Sequence, residues 1–293
     1  MQSDSSRPAP TDFAALAERH RRELLVHCYR MLGSLEDAED LVQETFLRAW
    51  RELGRFQGRS SLRAWLYRIA TNACLDALRG RARRVLPDAL EPASDPRQAR
   101  PPRTDVAWLQ PFPDRLLEPV APPESEPEAV LVARESIELA FLAAIQRLPP
   151  RQRAVLILRD VLAWPAKETA EQLDASVASV NSALQRARAT LHDELPERRP
   201  ASAPTADELA VLRRYMEAVE AADLSAVAGL LAEEVRTTMP PFPMWFQGRA
   251  AVLAALSTSW DAGSAAYVGR FRMRAVGANR QPAVAGYVRR PED

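Results

Sequence analysis

Apolar residues recur every three or four positions in two neighbouring stretches of the chain, 37–50 and 58–79. This spacing predicts two amphipathic helices, each with one face turned toward a core. The apolar stripe of the first helix contains Leu41, Phe46, Leu47 and Trp50, and that of the second contains Leu62, Trp65, Leu66, Ile69 and Ala73. The polar face of the second helix is basic and aromatic, and it contains Arg63, Tyr67, Arg68, Thr71, Asn72 and Arg79.

The helix ends carry signals of their own. Gly33 can close a preceding helix, over about 11–32, in the left-handed conformation. Ser34 followed by Asp37 resembles the capping box that begins a helix. The sequence therefore predicts three successive helices within residues 11–86.

A second block with helical spacing covers 128–192 and ends in a helix-turn-helix pattern. The pattern predicts helices over 166–173 and 177–192 with a turn at 174–176. On the second of these helices Val177, Val180, Leu184 and Leu191 are predicted to face the core, and Asn181, Ser182, Gln185 and Arg186 share the opposite face. Asn and Gln pair with adenine in the major groove, and Arg pairs with guanine. This helix is therefore predicted to read duplex DNA.

Prolines separate the two helical blocks. Eleven prolines fall between Pro87 and Pro127 without any helical spacing, so this segment is predicted to be an extended linker. Within it, the stretch from Trp108 to Leu117 is aromatic and apolar, which a plain spacer does not require. That stretch is predicted to dock on another surface. A second linker, at 195–204, precedes the last part of the chain.

The last part of the chain combines two kinds of pattern. Helices are predicted over 207–219, 224–231 and 249–260, and strands near 235, over 267–276 and over 283–289. Helices first and strands later indicate an α+β cone. The acids of this region, Asp223, Glu233, Glu234 and Asp261, fall at predicted helix ends, where capping is more common than catalysis.

Composition narrows the classes of function. The 293-residue chain has 39 basic and 39 acidic residues, so any attraction to nucleic acid must be local. Cys28 and Cys74 lie in helical apolar patterns and are predicted to be core residues of a reducing compartment. His20, His27 and His192 lack the spacing of metal ligands. With no signal sequence or membrane-spanning run, a cytoplasmic protein with no cofactor and no metal is expected.

Two of these blocks resemble a known family. The stretches Asp40-Leu-Val-Gln-Glu-Thr-Phe46 and Trp65-Leu-Tyr-Arg-Ile-Ala-Thr-Asn-Ala-Cys-Leu-Asp76 resemble region 2 of the sigma-70 sigma factors, in the extracytoplasmic-function (ECF) group. The segment from Leu148 to Leu191 resembles region 4 of the same family. Residues 215–224 and 239–249 resemble the SnoaL-like extension that some members carry.

The resemblance implies a mostly α protein in which two small helical domains are joined by a proline-rich linker. The implied divisions are region 2 at 11–86, the linker at 87–127, region 4 with its helix-turn-helix at 128–195, and a SnoaL-like regulatory domain at 205–293. The last is an α+β cone. It is expected to be incomplete, because the family resemblance implies further sheet-closing strands beyond the position of Asp293.

The resemblance also implies partners and site residues. The partners are bacterial core RNA polymerase and promoter DNA, and an anti-sigma protein or a small ligand is left open. Core polymerase is expected to bind Asp40, Gln43, Glu44, Phe46 and Trp50. The melted minus-10 promoter element is expected to bind Arg59, Ser60, Ser61, Arg63, Tyr67, Arg68, Asn72 and Arg79. The minus-35 element is expected to bind Ser179, Asn181, Ser182, Gln185, Arg186 and Arg188.

Three functions compete at this point. The first is a sigma factor that makes no bond itself and lends promoter specificity to polymerase, with its C-terminal domain modulating activity in cis. The second is a ligand-responsive helix-turn-helix regulator that binds duplex DNA without polymerase, usually as a dimer. The third is an enzyme of the SnoaL-like cyclase or isomerase type, for which the sequence offers poor candidates for a general acid or base. Two sigma-like blocks in the expected order favour the first.

Overall fold

The computed structural model describes residues 10–58, 60–98, 100–117, 137–194 and 204–289. They belong to two compact units. The first unit is formed by Met1–Arg83 and Gln110–Ala201, and the second by Arg84–Leu109 and Ser202–Asp293. Each unit is therefore assembled from two separate parts of the sequence.

Three helices begin the first unit: α1 (Pro10–Leu32), α2 (Leu35–Glu52) and α3 (Leu62–Ala77). Gly33 has a φ of 69°, and Ser34 Oγ accepts a hydrogen bond from the Asp37 backbone N–H at 3.2 Å. Ser61 Oγ caps α3 in the same way and accepts from the Ala64 N–H at 3.1 Å. The left-handed Gly33 and the Ser34 cap predicted from the sequence are thus confirmed.

A second helical group completes the first unit. It contains α4 (Leu139–Gln146), α5 (Pro150–Leu156), α6 (Ala166–Gln172) and α7 (Val177–Glu194). After α5 the chain continues as a short π-helical segment, Ile157–Val161. The helices α6 and α7 form the predicted helix-turn-helix, and Asp174 in the turn between them has a φ of 48°. The start of the helix predicted from 128 lies outside the described residues.

One buried guanidinium joins the two helical groups. Arg153 is 2% exposed and makes five hydrogen bonds. It donates to the carbonyls of Ile145, Gln146 and Leu148 at 2.9, 2.9 and 3.2 Å, to the Gln146 side chain at 2.7 Å, and to the Met31 carbonyl. These carbonyls belong to the C-terminal ends of α4 and α1, where helical partners are lacking and the partial charge is negative. Burial lowers the pKa of Arg153 to about 10.

Two further contacts hold the same helical groups together. Gln172 Nε2, on α6, donates to the Ala64 carbonyl on α3 at 3.0 Å. The ring of Trp164, which precedes α6, packs against Tyr67 of α3 with centroids 5.3 Å apart. The helix-turn-helix therefore lies directly against α3 within the first unit.

The proline-rich stretch that opens the second unit is folded on itself. The Val85 N–H donates to the Ala107 carbonyl at 3.0 Å, and the Leu109 N–H donates to the Val85 carbonyl at 3.1 Å. An ion pair between Glu91 and Arg100 closes the loop further along. The prediction of an extended linker is therefore wrong for its first part, 87–109, because backbone groups at the two ends of this stretch pair with each other.

The aromatic segment of the linker is buried on both sides of the point where the chain changes unit. Trp108 is 8% exposed and donates from Nε1 to the Arg103 carbonyl at 2.9 Å in the second unit. In the first unit, Phe112 is fully buried and packs against Tyr29 with ring centroids 4.6 Å apart. Tyr29 Oη also donates to the Gln110 carbonyl at 2.6 Å. The predicted docking of this segment is thus confirmed.

The remainder of the second unit combines helices with two hairpins. Its elements are α8 (Ala206–Glu220), α9 (Leu224–Ala228), β1 (Arg236–Thr238), β2 (Trp245–Gln247), α10 (Arg249–Trp260), β3 (Arg270–Ala278) and β4 (Gln281–Arg289). β1 pairs antiparallel with β2, and β3 pairs antiparallel with β4. In the described part of the chain these are two separate two-stranded sheets, which agrees with an α+β domain whose sheet is not closed.

A small apolar core holds these elements together. Ala218, Val219 and Val227 are buried, with Tyr215, Leu231, Leu253, Leu256, Trp260, Phe271 and Met273 packed around them. Glu220, at the end of α8, accepts the Met273 N–H at 2.6 Å and so fixes the helix to β3. Among the helices of the described ranges, none is long and apolar enough to cross a membrane.

Candidate nucleic-acid interface

The exposed side of α3 is polar and basic. Arg68 and Asn72 are exposed one helical turn apart, and Arg79 is exposed just after the helix ends. Ser60 and Ser61 are exposed where the chain enters the helix. Five of the residues predicted to meet the minus-10 element are thus exposed in the structure.

Two other residues of that predicted set turn inward. Tyr67 is 1% exposed beneath Trp164, and its hydroxyl donates to Glu23 Oε2 at 3.2 Å. Arg63 is half-buried and donates from Nε to the same carboxylate at 2.7 Å. In this arrangement the Tyr67 ring is enclosed by protein and is not exposed on the face of α3. Arg59 lies outside the described residues.

A neutral histidine lies beneath α3. His27, on α1, is fully buried, and its Nε2 lies 2.9 Å from Thr71 Oγ1 on α3. Burial, followed by the positive charges of Arg30 and Arg63, lowers the pKa of His27 from 6.5 to about 3. The imidazole therefore remains uncharged at neutral pH and links α1 to α3.

This depressed pKa makes the first unit sensitive to acid. Between pH 6.5 and about 3 the unfolded chain takes up a proton at His27 that the folded chain excludes. The contribution of neutral His27 to the free energy of unfolding is therefore fully present above pH 6.5. It decreases as the pH falls, by about 2 kcal/mol at pH 5. Urea unfolding at pH 7.5 and at pH 5 measures how much unfolding free energy is lost on acidification. This loss should be smaller for His27→Gln than for the parent protein. The control His192→Gln, at an exposed site, should behave as the parent; equal losses in all three proteins would refute this role.

The exposed face of α7 has the composition predicted for it. Its exposed residues include Asn181, Ser182, Gln185 and Arg186. On the opposite side Val180, Leu184 and Leu191 are 1%, 6% and 9% exposed. Val177 is 42% exposed, so its assignment to the core is wrong. As the first residue of α7 it lies at the end of the packed stripe.

The two other residues expected to bind the minus-35 element, Ser179 and Arg188, flank this face. Ser179 is exposed in the first turn of α7. Arg188 donates to the Asp160 carboxylate at 2.6 and 2.8 Å, and this pairing raises the pKa of Arg188. Because the Arg188 side chain is 60% exposed, the ion pair contributes little stability, and Arg188 can exchange Asp160 for a phosphate at small cost.

The exposed face of α2 combines polar and apolar side chains. Asp40 and Gln43 are exposed, and Leu47 and Trp50 are 52% and 48% exposed. The assignment of Leu47 and Trp50 to the core-facing stripe is wrong, because the buried stripe of α2 is formed by the smaller Ala38, Val42, Thr45 and Ala49. Large apolar side chains grouped on a surface are typical of a protein interaction site.

The remaining residues predicted for this face are half-buried at its side. Glu44 accepts a hydrogen bond from Arg48 Nε at 2.7 Å, which lowers the pKa of Glu44. Phe46 lies under Arg21, whose guanidinium carbon is 5.0 Å from the ring centroid. The centre of the face is therefore formed by Leu47 and Trp50.

Hydrogen bonds with the C-terminal domain hold the linker in the second unit. Trp245, on β2, is 8% exposed and donates from Nε1 to the Glu91 carbonyl at 2.8 Å. The Ser94 N–H donates to the Trp245 carbonyl at 2.9 Å, and the Arg103 N–H donates to the Pro241 carbonyl at 2.9 Å. The C-terminal domain therefore binds the backbone of the linker.

Comparison with known families divides the chain in the same order. Sigma-70 region 2 matches residues 16–84, Sigma-70 region 4 matches residues 138–191, and a SnoaL-like domain matches residues 212–291. The first match includes α2 and α3, and the second includes the helix-turn-helix. The third includes both hairpins.

Individual relatives agree with these matches. The chain is 48% identical over 281 residues to the ECF RNA polymerase sigma factor SigG of Mycobacterium tuberculosis, covering 95% of this chain and 74% of that protein. It is 32% identical over 230 residues to SigJ of the same organism, covering 78% of this chain and 64% of that protein. The crystal structure of SigJ has the same fold, with a TM-score of 0.57, 24% identity, and coverage of 92% and 83% of the two chains. The chain therefore belongs to the extracytoplasmic-function family of RNA polymerase sigma factors and directs transcription initiation.

Proposed function

We propose that the three exposed faces have separate roles in initiation. The face of α2 binds core RNA polymerase, the face of α3 holds the melted minus-10 element, and the face of α7 reads the minus-35 element. The observation that supports this proposal most strongly is the separation of polar and apolar side chains on α7. Asn181, Gln185 and Arg186 are exposed on one face, and the opposite face is buried. We also propose that the protein acts in the cytoplasm and catalyses no reaction itself.

The polymerase contact follows from the composition of α2. Leu47 and Trp50 supply the apolar centre that a stable interface needs, and Asp40 and Gln43 supply its polar rim. A substitution that leaves α2 folded but removes the indole, such as Trp50→Ala, would weaken this contact. Arg48→Ala, in the same helix, is the matched control outside the centre.

The minus-10 contact differs from the one expected from the sequence alone. Arg68, Asn72 and Arg79 can bind the backbone and bases of a single strand from an exposed helix face. Tyr67 contributes to this surface only by supporting α3 from within. Stacking of an unpaired base on Tyr67 would require Tyr67 to lose its contact with Trp164.

Run-off transcription with bacterial core polymerase and a library of genomic promoters tests the whole proposal. Specific starts that require this protein are expected, and alignment of the upstream DNA should give both promoter elements. If no starts appear and the protein binds duplex DNA without polymerase, a ligand-responsive helix-turn-helix regulator replaces the proposal.

We further propose that the C-terminal domain modulates initiation in cis by holding the linker. The stretch Arg84–Leu109 is part of the chain that connects the two DNA-reading groups, and its ends are held together by the pairing of Val85 with Ala107 and Leu109. Extended, a segment of this length would reach about 80 Å. Retaining it on the C-terminal domain therefore limits how far the two groups can separate.

Removing one hydrogen bond tests this regulation. Trp245→Phe keeps the ring in place but eliminates the donor to the Glu91 carbonyl. Since such a bond contributes about 1 kcal/mol, release of the linker should increase and run-off output should rise by up to about fivefold.

Trp260→Phe is the matched control for this variant. Trp260 lies in the core of the same unit, and its Nε1 has no hydrogen-bond partner among the described residues. Its output should equal that of the parent protein. Equal outputs from Trp245→Phe and the parent would refute regulation through this contact.

A further inference from the structure

One face of the β3–β4 hairpin is formed by arginines. Arg270, Arg272 and Arg274 occupy alternate positions of β3, and the residues between them pack toward the core. Across the hairpin Arg289 lies opposite Arg270, and Tyr287 lies opposite Arg272. Residues directly opposed in a sheet share one side of it, so these side chains lie away from the core. The set Arg270, Arg272, Arg274 and Arg289 is called the arginine face below.

The charge of this region is unbalanced although the chain as a whole is neutral. Residues 262–291 contain six Arg and no Asp or Glu. Within the described residues, the one member of the arginine face that pairs with an acid is Arg272, whose Nη1 lies 3.4 Å from Glu220 Oε2. Arg270 and Arg289 are directly opposed, and like charges in that relation destabilise a hairpin. The domain thus maintains a positive surface at the expense of its own stability.

A phosphate backbone would neutralise this surface. Guanidinium groups bind phosphate through two parallel hydrogen bonds, and an exposed tyrosine hydroxyl is a further phosphate donor. Tyr287 is 61% exposed beside Arg272 and Arg289. We propose that the arginine face binds the backbone of promoter DNA as a second contact that does not depend on base sequence. This proposal rests on the proposed function, which makes promoter DNA the polyanion that the protein meets.

The salt dependence of promoter binding tests the proposal. The variant Arg270→Gln/Arg274→Gln removes two charges and leaves the Arg272–Glu220 pair intact. Each lost phosphate contact lowers the slope of log affinity against log salt by about 0.9, so two contacts make a difference of about 1.8. Between 50 and 200 mM salt, promoter affinity of the parent holoenzyme should therefore fall about tenfold more than that of the variant holoenzyme.

Two further variants test whether a change in slope is specific to the arginine face. Arg289→Gln, on the other strand, should reduce the slope by about half as much as the double variant. Arg213→Gln/Arg214→Gln removes two exposed charges from α8 of the same unit and should leave the slope unchanged. Thermal unfolding of the hairpin variants should occur at the parent temperature or above, since repulsion is relieved.

The outcomes separate this proposal from the assignment of function. Unchanged slopes for both hairpin variants, or an equal change in the α8 control, would overturn the DNA contact. Reduced run-off with unchanged slopes would also overturn it and would place the arginine face against polymerase. Absence of promoter-dependent transcription by the parent protein would instead refute the proposed function itself.

Discussion

Replacing Arg153 with Met is expected to lower the free energy of unfolding of the first unit by about 3–5 kcal/mol. The substitution preserves most of the side-chain volume but removes five hydrogen bonds from a site that is 2% exposed. The carbonyls of Met31, Ile145 and Leu148 would then be left without their present donor. Because these carbonyls close two different helices, α1 and α4 should both become less stable at their ends.

Urea unfolding followed by far-UV circular dichroism, which reports the helices of the first unit, would measure this loss. Arg151→Met is the matched control, since Arg151 is exposed on the same helix. The control should unfold within about 0.5 kcal/mol of the parent. A similarly small effect of Arg153→Met would show that the five contacts do not stabilise the folded state.

The second large effect is expected at Arg186. Its replacement by Ala should reduce discrimination at one base pair of the minus-35 element by about 1–3 kcal/mol, which is roughly 5- to 150-fold in affinity. The physical reason is that a guanidinium pairs with guanine through two hydrogen bonds that Ala cannot replace. Holoenzyme binding to promoters that carry each base at each minus-35 position would measure the change.

Arg188→Ala gives the contrasting result. Arg188 lies on the same helix but is held by Asp160, and it is proposed to contact a phosphate. Its loss should weaken all promoter sequences equally and reduce the salt slope by about one. If Arg186→Ala also weakened all sequences equally, the base-reading role of Arg186 would be wrong.

The features that were predictable from the sequence depend on local periodicity. The faces of α3 and α7 follow from helical spacing, which placed Arg68, Asn72 and Arg186 on the exposed side. Gly33 and Ser34 likewise act on neighbouring residues, so their roles could be inferred from short stretches. The roles proposed for these exposed residues in binding remain predictions.

The features that were not predictable depend on residues distant in sequence. Tyr67 appears on a polar face of α3 until Trp164 and Glu23 are brought against it. Arg153 looks like an ordinary surface arginine, and only the meeting of two helix ends explains its burial. The folding of the linker was missed for the same reason. Val85 pairs with Ala107, which is distant in sequence, although the prolines between them predict an extended chain.

The hydrogen bond from Gln172 to the Ala64 carbonyl sets an upper limit on the reach of the first unit. Along α3, Asn72 lies about 12 Å from Ala64. On the other side of the bond, the chain from Gln172 to Asn181 spans at most about 32 Å. With about 10 Å for the bridge itself, Asn72 and Asn181 are separated by no more than about 55 Å. Elements centred about 25 base pairs apart are separated by about 85 Å of duplex. If Asn72 and Asn181 contact the two elements as proposed, they can engage only one element at a time while this bond is intact, and simultaneous contact requires the two helical groups to be held apart.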